Sequence, residues 1–230
     1  MKTNSKNRGI FFDFDGVLVD TEPIYFETLN TLFTNMDKPP LTPSEYGNFI
    51  GKPTSVTWEY LAERYDFTDS VDYQQSIYKD ILKIALKDQM VLRDDARPIL
   101  DSLADHKLGS VLVTSGSQEW TYYKLNILGL VDYFDCVVTG DDVAASKPDP
   151  EIYLLAAKKS GFDVSFSLAI EDSISGIESS KAAGLFTIGL KTPLTGSFDL
   201  SEADILVDNL SEIKIHSILD MIESKNIVHI

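Results

Sequence analysis

Short apolar runs alternate with helical stretches through most of this chain, and that alternation restricts the fold more than any other feature. The runs are Ile10 to Phe12, Ser110 to Thr114, Cys136 to Thr139, Ser167 to Ile170, Leu185 to Leu190 and Asp204 to Val207. Each has the length of a strand buried on both faces. Between and after them, helices are predicted over Ala96 to His106, Glu119 to Leu128, Asp149-Pro150 to Gly161, Ile174 to Gly184 and Ser211 to Ile222. Units of this kind build a parallel sheet with helices on both faces, a Rossmann-like three-layer α/β/α sandwich.

One block departs from the pattern. After Asp20 and Thr21, either a natural N-cap, Pro23 sits in a first helical turn followed by Ile24, Phe26, Leu29, Leu32 and Phe33. Pro39, Pro40 and Pro43 break that helix. Helical spacing resumes over Thr54 to Tyr65, with Val56, Tyr60 and Leu61, and over Ser70 to Leu86, with Ile77, Ile81, Leu82, Ile84 and Ala85. Residues 20–91 therefore read as a small helical domain inserted after the first strand. Residues 1–19 and 92–230 form the α/β core domain.

The 230 residues suffice for a core domain and a small second one. No apolar run approaches the roughly 20 residues of a membrane span. The polar start, Met1 to Arg8, lacks the apolar core of a signal peptide, so a cytoplasmic protein is expected. A net charge of −16 argues against nucleic acid and anionic membranes as partners. An enzyme of that charge acting on anions needs local positive charge, from a metal or a placed lysine. A monomer is expected. Cys136 stands alone, which excludes an intrachain disulfide and a cysteine-cluster metal site, and it reads as a small buried hydrophobe. His106, His216 and His229 lie outside every motif, and Trp58 and Trp120 read as packing residues.

In open α/β sheets, chemistry gathers beyond the carboxyl ends of the strands. There the first run ends in Asp13-Phe14-Asp15-Gly16. Taken alone, this is equally a surface Asp-Gly turn. The later strand ends weigh against that. They carry Thr114-Ser115-Gly116, then Ser146-Lys147-Pro148, then Glu171-Asp172. Carboxylates, a hydroxyl beside glycine-flanked N–H groups and a lysine are what Mg²⁺-assisted phosphoryl transfer requires.

The same residues, in the same order, resemble the four motifs of the haloacid dehalogenase-like hydrolase superfamily. Asp13 to Val17 resembles the first, Val111 to Thr114 the second, Lys147 to Pro150 the third, and Ile170 to Ser173 with Gly176, Ala183 and Gly184 the fourth. The inserted helices resemble the C1 cap of the β-phosphoglucomutase-like subfamily. The resemblance implies Asp13 as the nucleophile, forming an aspartyl phosphate, and Asp15 as the acid and base. It implies Mg²⁺ held by Asp13, the Asp15 backbone carbonyl and Asp172, with Glu171 binding it directly or supporting it from behind. Thr114, Ser115, Gly116 and Lys147 would hold the phosphoryl group, with Thr114 also able to cap the next helix. Glu22, Tyr25, Gly51 and Lys52 are the candidate substrate contacts of the cap.

Among the reactions of that superfamily, dehalogenation does not suit a chain with Asp15, because the dehalogenases lack the second aspartate. A phosphonate-cleaving branch uses a cap lysine; Lys52 is available, but its surroundings look like an ordinary specificity loop. Sugar-phosphate mutases carry a cap arginine and histidine where this chain has Thr54 and Tyr25. A phosphatase for small phosphorylated metabolites, sugar phosphates in particular, is the expectation. A mutase is the alternative, and a non-catalytic Mg²⁺-binding phospho-acceptor domain is the alternative of another class.

Overall fold

A computed structural model describes residues 7–49, 54–193 and 198–227. The chain divides into two compact units, Met1–Asp20 with Val91–Ile230, and Thr21–Met90. The larger unit is a three-layer α/β/α sandwich. Its strands are β1 (Gly9–Phe12), β2 (Gly109–Val113), β3 (Cys136–Val138), β4 (Leu168–Glu171), β5 (Phe186–Leu190) and β6 (Ile205–Val207). All pair in parallel, in the order β3-β2-β1-β4-β5-β6.

β1 is central because it is apolar throughout and can be buried on both sides. Ile10 stands opposite Ser110 of β2 and Leu168 of β4. The strand pleat sends alternate side chains to opposite faces. Phe11 joins Val111, Val113, Ile152, Tyr153 and Ala156 on one face, whereas Phe12 meets Phe134 edge-on at 6.3 Å. Strand order and direction thus bring the ends of β1, β2 and β4 side by side along one edge of the sheet.

The larger unit's helices are, in chain order, Ala96–Asp105, Gln118–Leu128, Glu151–Ser160, Ile174–Ala182 and Ile215–Ile227. The last begins four residues later than its apolar spacing suggests. Residues Leu210–Glu212 instead form a 3-10 turn, held by Asn209 Oδ1, which accepts from the Ser211 N–H at 2.9 Å. Ser117, not Thr114, caps the helix beginning at Gln118. Cys136 is half-buried on the edge strand rather than enclosed. No helix among the described residues is long and apolar enough to cross a membrane.

The smaller unit holds helices Glu22–Asn35, Pro43–Gly47, Thr54–Tyr65 and Val71–Gln89. Its core joins Leu29, Leu32, Phe33, Leu41, Trp58, Leu61 and Tyr65, with Phe33 stacked on Tyr65 at 4.0 Å. The helices over Thr54–Tyr65 and Val71–Gln89 lie where the apolar spacing puts them, but not every apolar residue of that spacing faces inward. Trp58, Leu61 and Tyr65 define one buried stripe, and at 3.6 residues per turn Val56 and Tyr60 fall on the opposite side, where they are exposed. Ile84, two residues from each of the buried Leu82 and Leu86, is exposed for the same reason. The short helix Pro43–Gly47 is not apparent from apolar spacing. It rests on a capping box, in which Thr42 accepts from the Glu45 N–H and Glu45 accepts from the Thr42 N–H. Thr21 occupies the N-cap position of the first helix, but its side chain makes no capping bond there.

The chain leaves and re-enters the larger unit at adjacent points. Val19 bridges Leu92 in antiparallel fashion, and the Arg93 N–H donates to the Leu18 carbonyl at 2.9 Å.

Candidate active site

Lys147 draws the strand ends together. Its Nζ lies 2.6 Å from Asp13 Oδ1, 2.6 Å from Glu171 Oε1 and 3.1 Å from the Val113 carbonyl. One ammonium therefore ties the ends of β1, β4 and β2. Only 4% of its side chain is exposed, so water does little to screen these contacts. The two carboxylates hold its pKa above the ordinary lysine value against the opposing effect of burial.

Asp172 completes the cluster. Asp13, Glu171 and Asp172 each place a carboxylate oxygen within 4.8 Å of the others. Burial raises the Asp13 carboxyl from 3.8 to about 7, with Lys147 opposing the rise and Glu171 adding to it. Burial, then Asp13 and Glu171, push Asp172 well above its ordinary value. Fully ionised, the three carboxyl groups would outweigh the one ammonium, which a bound cation would offset. Hard oxygen donors so arranged suit a divalent cation such as Mg²⁺ or Ca²⁺.

The backbone is shaped to this cluster. Gly16 has φ +88°, and a Cβ there would stand 1.9 Å from Asp172 Oδ2. Gly16→Ala therefore adds left-handed strain of about 1–2 kcal/mol and forces the Asp172 carboxylate out of its position. Turnover is expected to fall at least about tenfold, a larger effect than the drop in melting temperature. Steady-state assays beside a thermal melt check this; a folded variant with unchanged kcat would show that Asp172 needs no fixed place. Gly176 makes similar room for Glu171, whose Oε2 would lie 1.9 Å from a Cβ.

The loop after β2 is differently committed than its composition suggests. The Gly116 N–H donates to Thr114 Oγ1 at 3.1 Å, so these two expected phosphate-holding groups bond each other. The Gly116 carbonyl accepts from the Gly140 N–H at 2.9 Å, pinning the loop.

Sequence reasoning missed two residues that structure the site. Lys124 places Nζ 2.6 Å from both Asp15 oxygens. Tyr153, fully buried, donates its hydroxyl to Glu171 Oε1. Both had a legible sign: each is a polar group on the buried face of its helix, Lys124 beside Thr121 and Leu125, Tyr153 beside Ile152 and Ala156.

Asp13, Lys147, Glu171 and Asp172 thus converge, with Asp15 turned to Lys124. Glu22 and Tyr25 belong to the smaller unit, where Glu22 accepts from the Tyr46 hydroxyl. Gly51 and Lys52 lie outside the described residues. Away from the cluster, the rings of His106 and His216 meet edge-to-face, with centroids 4.1 Å apart; His229 lies outside the described residues. Trp58 packs in the core of the smaller unit, and Trp120 is half-buried against Tyr123.

The family model for haloacid dehalogenase-like hydrolases matches residues 10–190. The chain belongs to that family. It is accordingly a hydrolase, and all the residues named around Lys147 fall inside the matched span. This haloacid dehalogenase-like hydrolase is 32% identical over 176 residues to a phosphorylated carbohydrates phosphatase of Thermotoga maritima, covering 76% of this chain and 81% of that protein. It is 30% identical over 205 residues to the validoxylamine A 7'-phosphate phosphatase of Streptomyces hygroscopicus subsp. limoneus, covering 88% and 94%. A solved family IA, variant 3 hydrolase from Entamoeba histolytica superposes with a TM-score of 0.80, covering 94% of this chain and 99% of that one. At 22% identity that last likeness is one of fold.

Proposed function

We propose that this hydrolase is a Mg²⁺-dependent phosphatase of small phosphorylated metabolites, sugar phosphates among them, and that it belongs to the β-phosphoglucomutase-like branch, with residues 21–90 as its cap. The observation that carries the reading is the Lys147 hub, which sets Asp13 against Glu171 and Asp172 at adjoining strand ends. Kinship with two phosphatases, one of phosphorylated carbohydrates, supports the substrate class. The helical insert after β1 supports the branch.

Asp13 attacks phosphorus. A bond forms from its carboxylate oxygen as the ester P–O bond breaks, and the leaving oxygen takes a proton from Asp15. In the second half, Asp15 removes a proton from water, the water oxygen bonds to phosphorus, and the acyl phosphate bond to Asp13 breaks. Lys147 neutralises charge on the transferred group while keeping the Asp13 carboxylate oriented. Thr114, Ser115 and Gly116 line the position for the phosphoryl oxygens. Asp13, Asp172 and the Asp15 carbonyl would hold the cation. Glu171, whose Oε1 already accepts from Lys147 and Tyr153, serves by anchoring Lys147. When bound, Mg²⁺ offsets the clustered negative charge and withdraws charge from the phosphoryl oxygens.

The sugar-phosphate mutase reading lacks its expected pair, with Thr54 and Tyr25 at the arginine and histidine positions. A panel of phosphomonoesters tests the phosphatase, assayed with Mg²⁺ and with EDTA beside a glucose 1-phosphate to glucose 6-phosphate assay. Release of phosphate that falls at least about 100-fold in EDTA and returns with Mg²⁺ is expected. Isomerisation without phosphate release, or turnover indifferent to EDTA, would overturn the reading.

A further inference from the structure

We propose that Lys124 is the positioning residue of Asp15: its buried ammonium fixes the carboxylate from which the leaving group takes its proton. The inference rests on the proposed role of Asp15 as acid and base.

A buried ammonium is costly unless it meets an opposite charge. Lys124 is 3% exposed, on the inward face of the helix Gln118–Leu128. Its Nζ stands 2.6 Å from both oxygens of Asp15 and 4.5 Å from the centroid of the Phe14 ring. An ammonium gripping both oxygens fixes the rotation of a carboxylate as well as its location. Asp15 itself is more open, with 29% of its side chain exposed, so packing alone does not hold it. The lysine does.

The placement also connects two parts of the site. The helix bearing Lys124 begins immediately after Thr114-Ser115-Gly116, and it is capped by Ser117. The loop lining the phosphoryl position and the anchor of the proton donor are thus one rigid piece. A phosphoryl group seated in that loop meets a proton donor whose distance is set by two turns of helix. Lys124 touches no reacting atom in this scheme and acts through Asp15.

A positioning role predicts a particular kinetic signature. Proton donation matters most for a poor leaving group and little for an activated one. The ratio of kcat/KM for 4-nitrophenyl phosphate to that for phenyl phosphate therefore reports on the acid. In Lys124→Met this ratio is expected to widen by about tenfold. Lys124→Arg, which keeps a cation, should stay within about twofold of the native ratio. Asp15→Asn should widen the ratio at least as far as Lys124→Met, and adding Lys124→Met to Asp15→Asn should change nothing more. If Lys124→Met does not fold, Lys124→Gln is read in the same way.

Equal loss on both esters, or a further loss in the double variant, would reduce Lys124 to a packing residue and overturn the proposal. So would a native ratio in Lys124→Met beside a widened one in Asp15→Asn. A native ratio in Asp15→Asn itself would remove Asp15 as the acid, and the role of Lys124 with it. The two failures are told apart by which variant moves.

Discussion

Asp13→Asn is expected to lower kcat at least about 10³-fold while leaving the protein folded. The substitution keeps the size of the side chain and removes the nucleophile, so neither better binding nor more metal restores turnover. Rapid-quench detection of a phosphoenzyme should show it in the native protein and not in the variant. The stability effect runs the other way. Asp13 is raised to about 7 in the folded protein, chiefly by burial. A carboxyl raised in this way favours the folded state while it remains protonated, and that contribution is lost as pH climbs from its unfolded value toward 7. Without metal, the Asp13 carboxyl should therefore take stability from the native protein as pH rises from about 4 to about 7. The asparagine variant should lose less, so the melting-temperature difference between the two in EDTA grows in the variant's favour from pH 5 to pH 8. Residual turnover above about 1% of native would remove Asp13 as nucleophile.

Lys147→Met is expected to damage both fold and function. Its ammonium stands between Asp13 and Glu171, and Glu171 is wholly buried. Removing one partner from a buried ion cluster leaves uncompensated charge, at a cost of about 3–5 kcal/mol. Urea unfolding in EDTA measures that loss. The same carboxylates, now without their ammonium, should attract a divalent cation more strongly, so added Mg²⁺ should raise the melting temperature by more than it does in the native protein. Turnover should remain depressed at least about 100-fold even with Mg²⁺ saturating, because the cation cannot replace the hydrogen bond that orients Asp13. A variant as stable as the native protein would mean that the carboxylates share protons and need no ammonium. Arginine is no conservative substitute here, since a planar fork does not fit a site built around a point charge.

Much of the architecture was open to reading because strands and helices are local. Apolar runs of strand length, glycine ends such as Gly129 and Gly161, and the Asp-Gly turn after β1 each declare themselves within a few residues. What apolar spacing leaves open is direction in space. Val56, Tyr60 and Ile84 were apolar and helical, yet which side of a helix faces a core depends on its neighbours. That the Gly116 N–H donates to the Thr114 hydroxyl oxygen is likewise set by the fold of the loop and not by its composition.

The chain's own order of residues dictates that carboxylates follow β1 and β4, and that a lysine and a hydroxyl follow neighbouring strands, because turn chemistry and side-chain periodicity act over a few bonds. Which charges meet is another matter. Lys147 is 134 positions from Asp13, and Lys124 is 109 from Asp15. Coulomb attraction and loss of solvation depend on distance through space, and only the folded sheet supplies that distance.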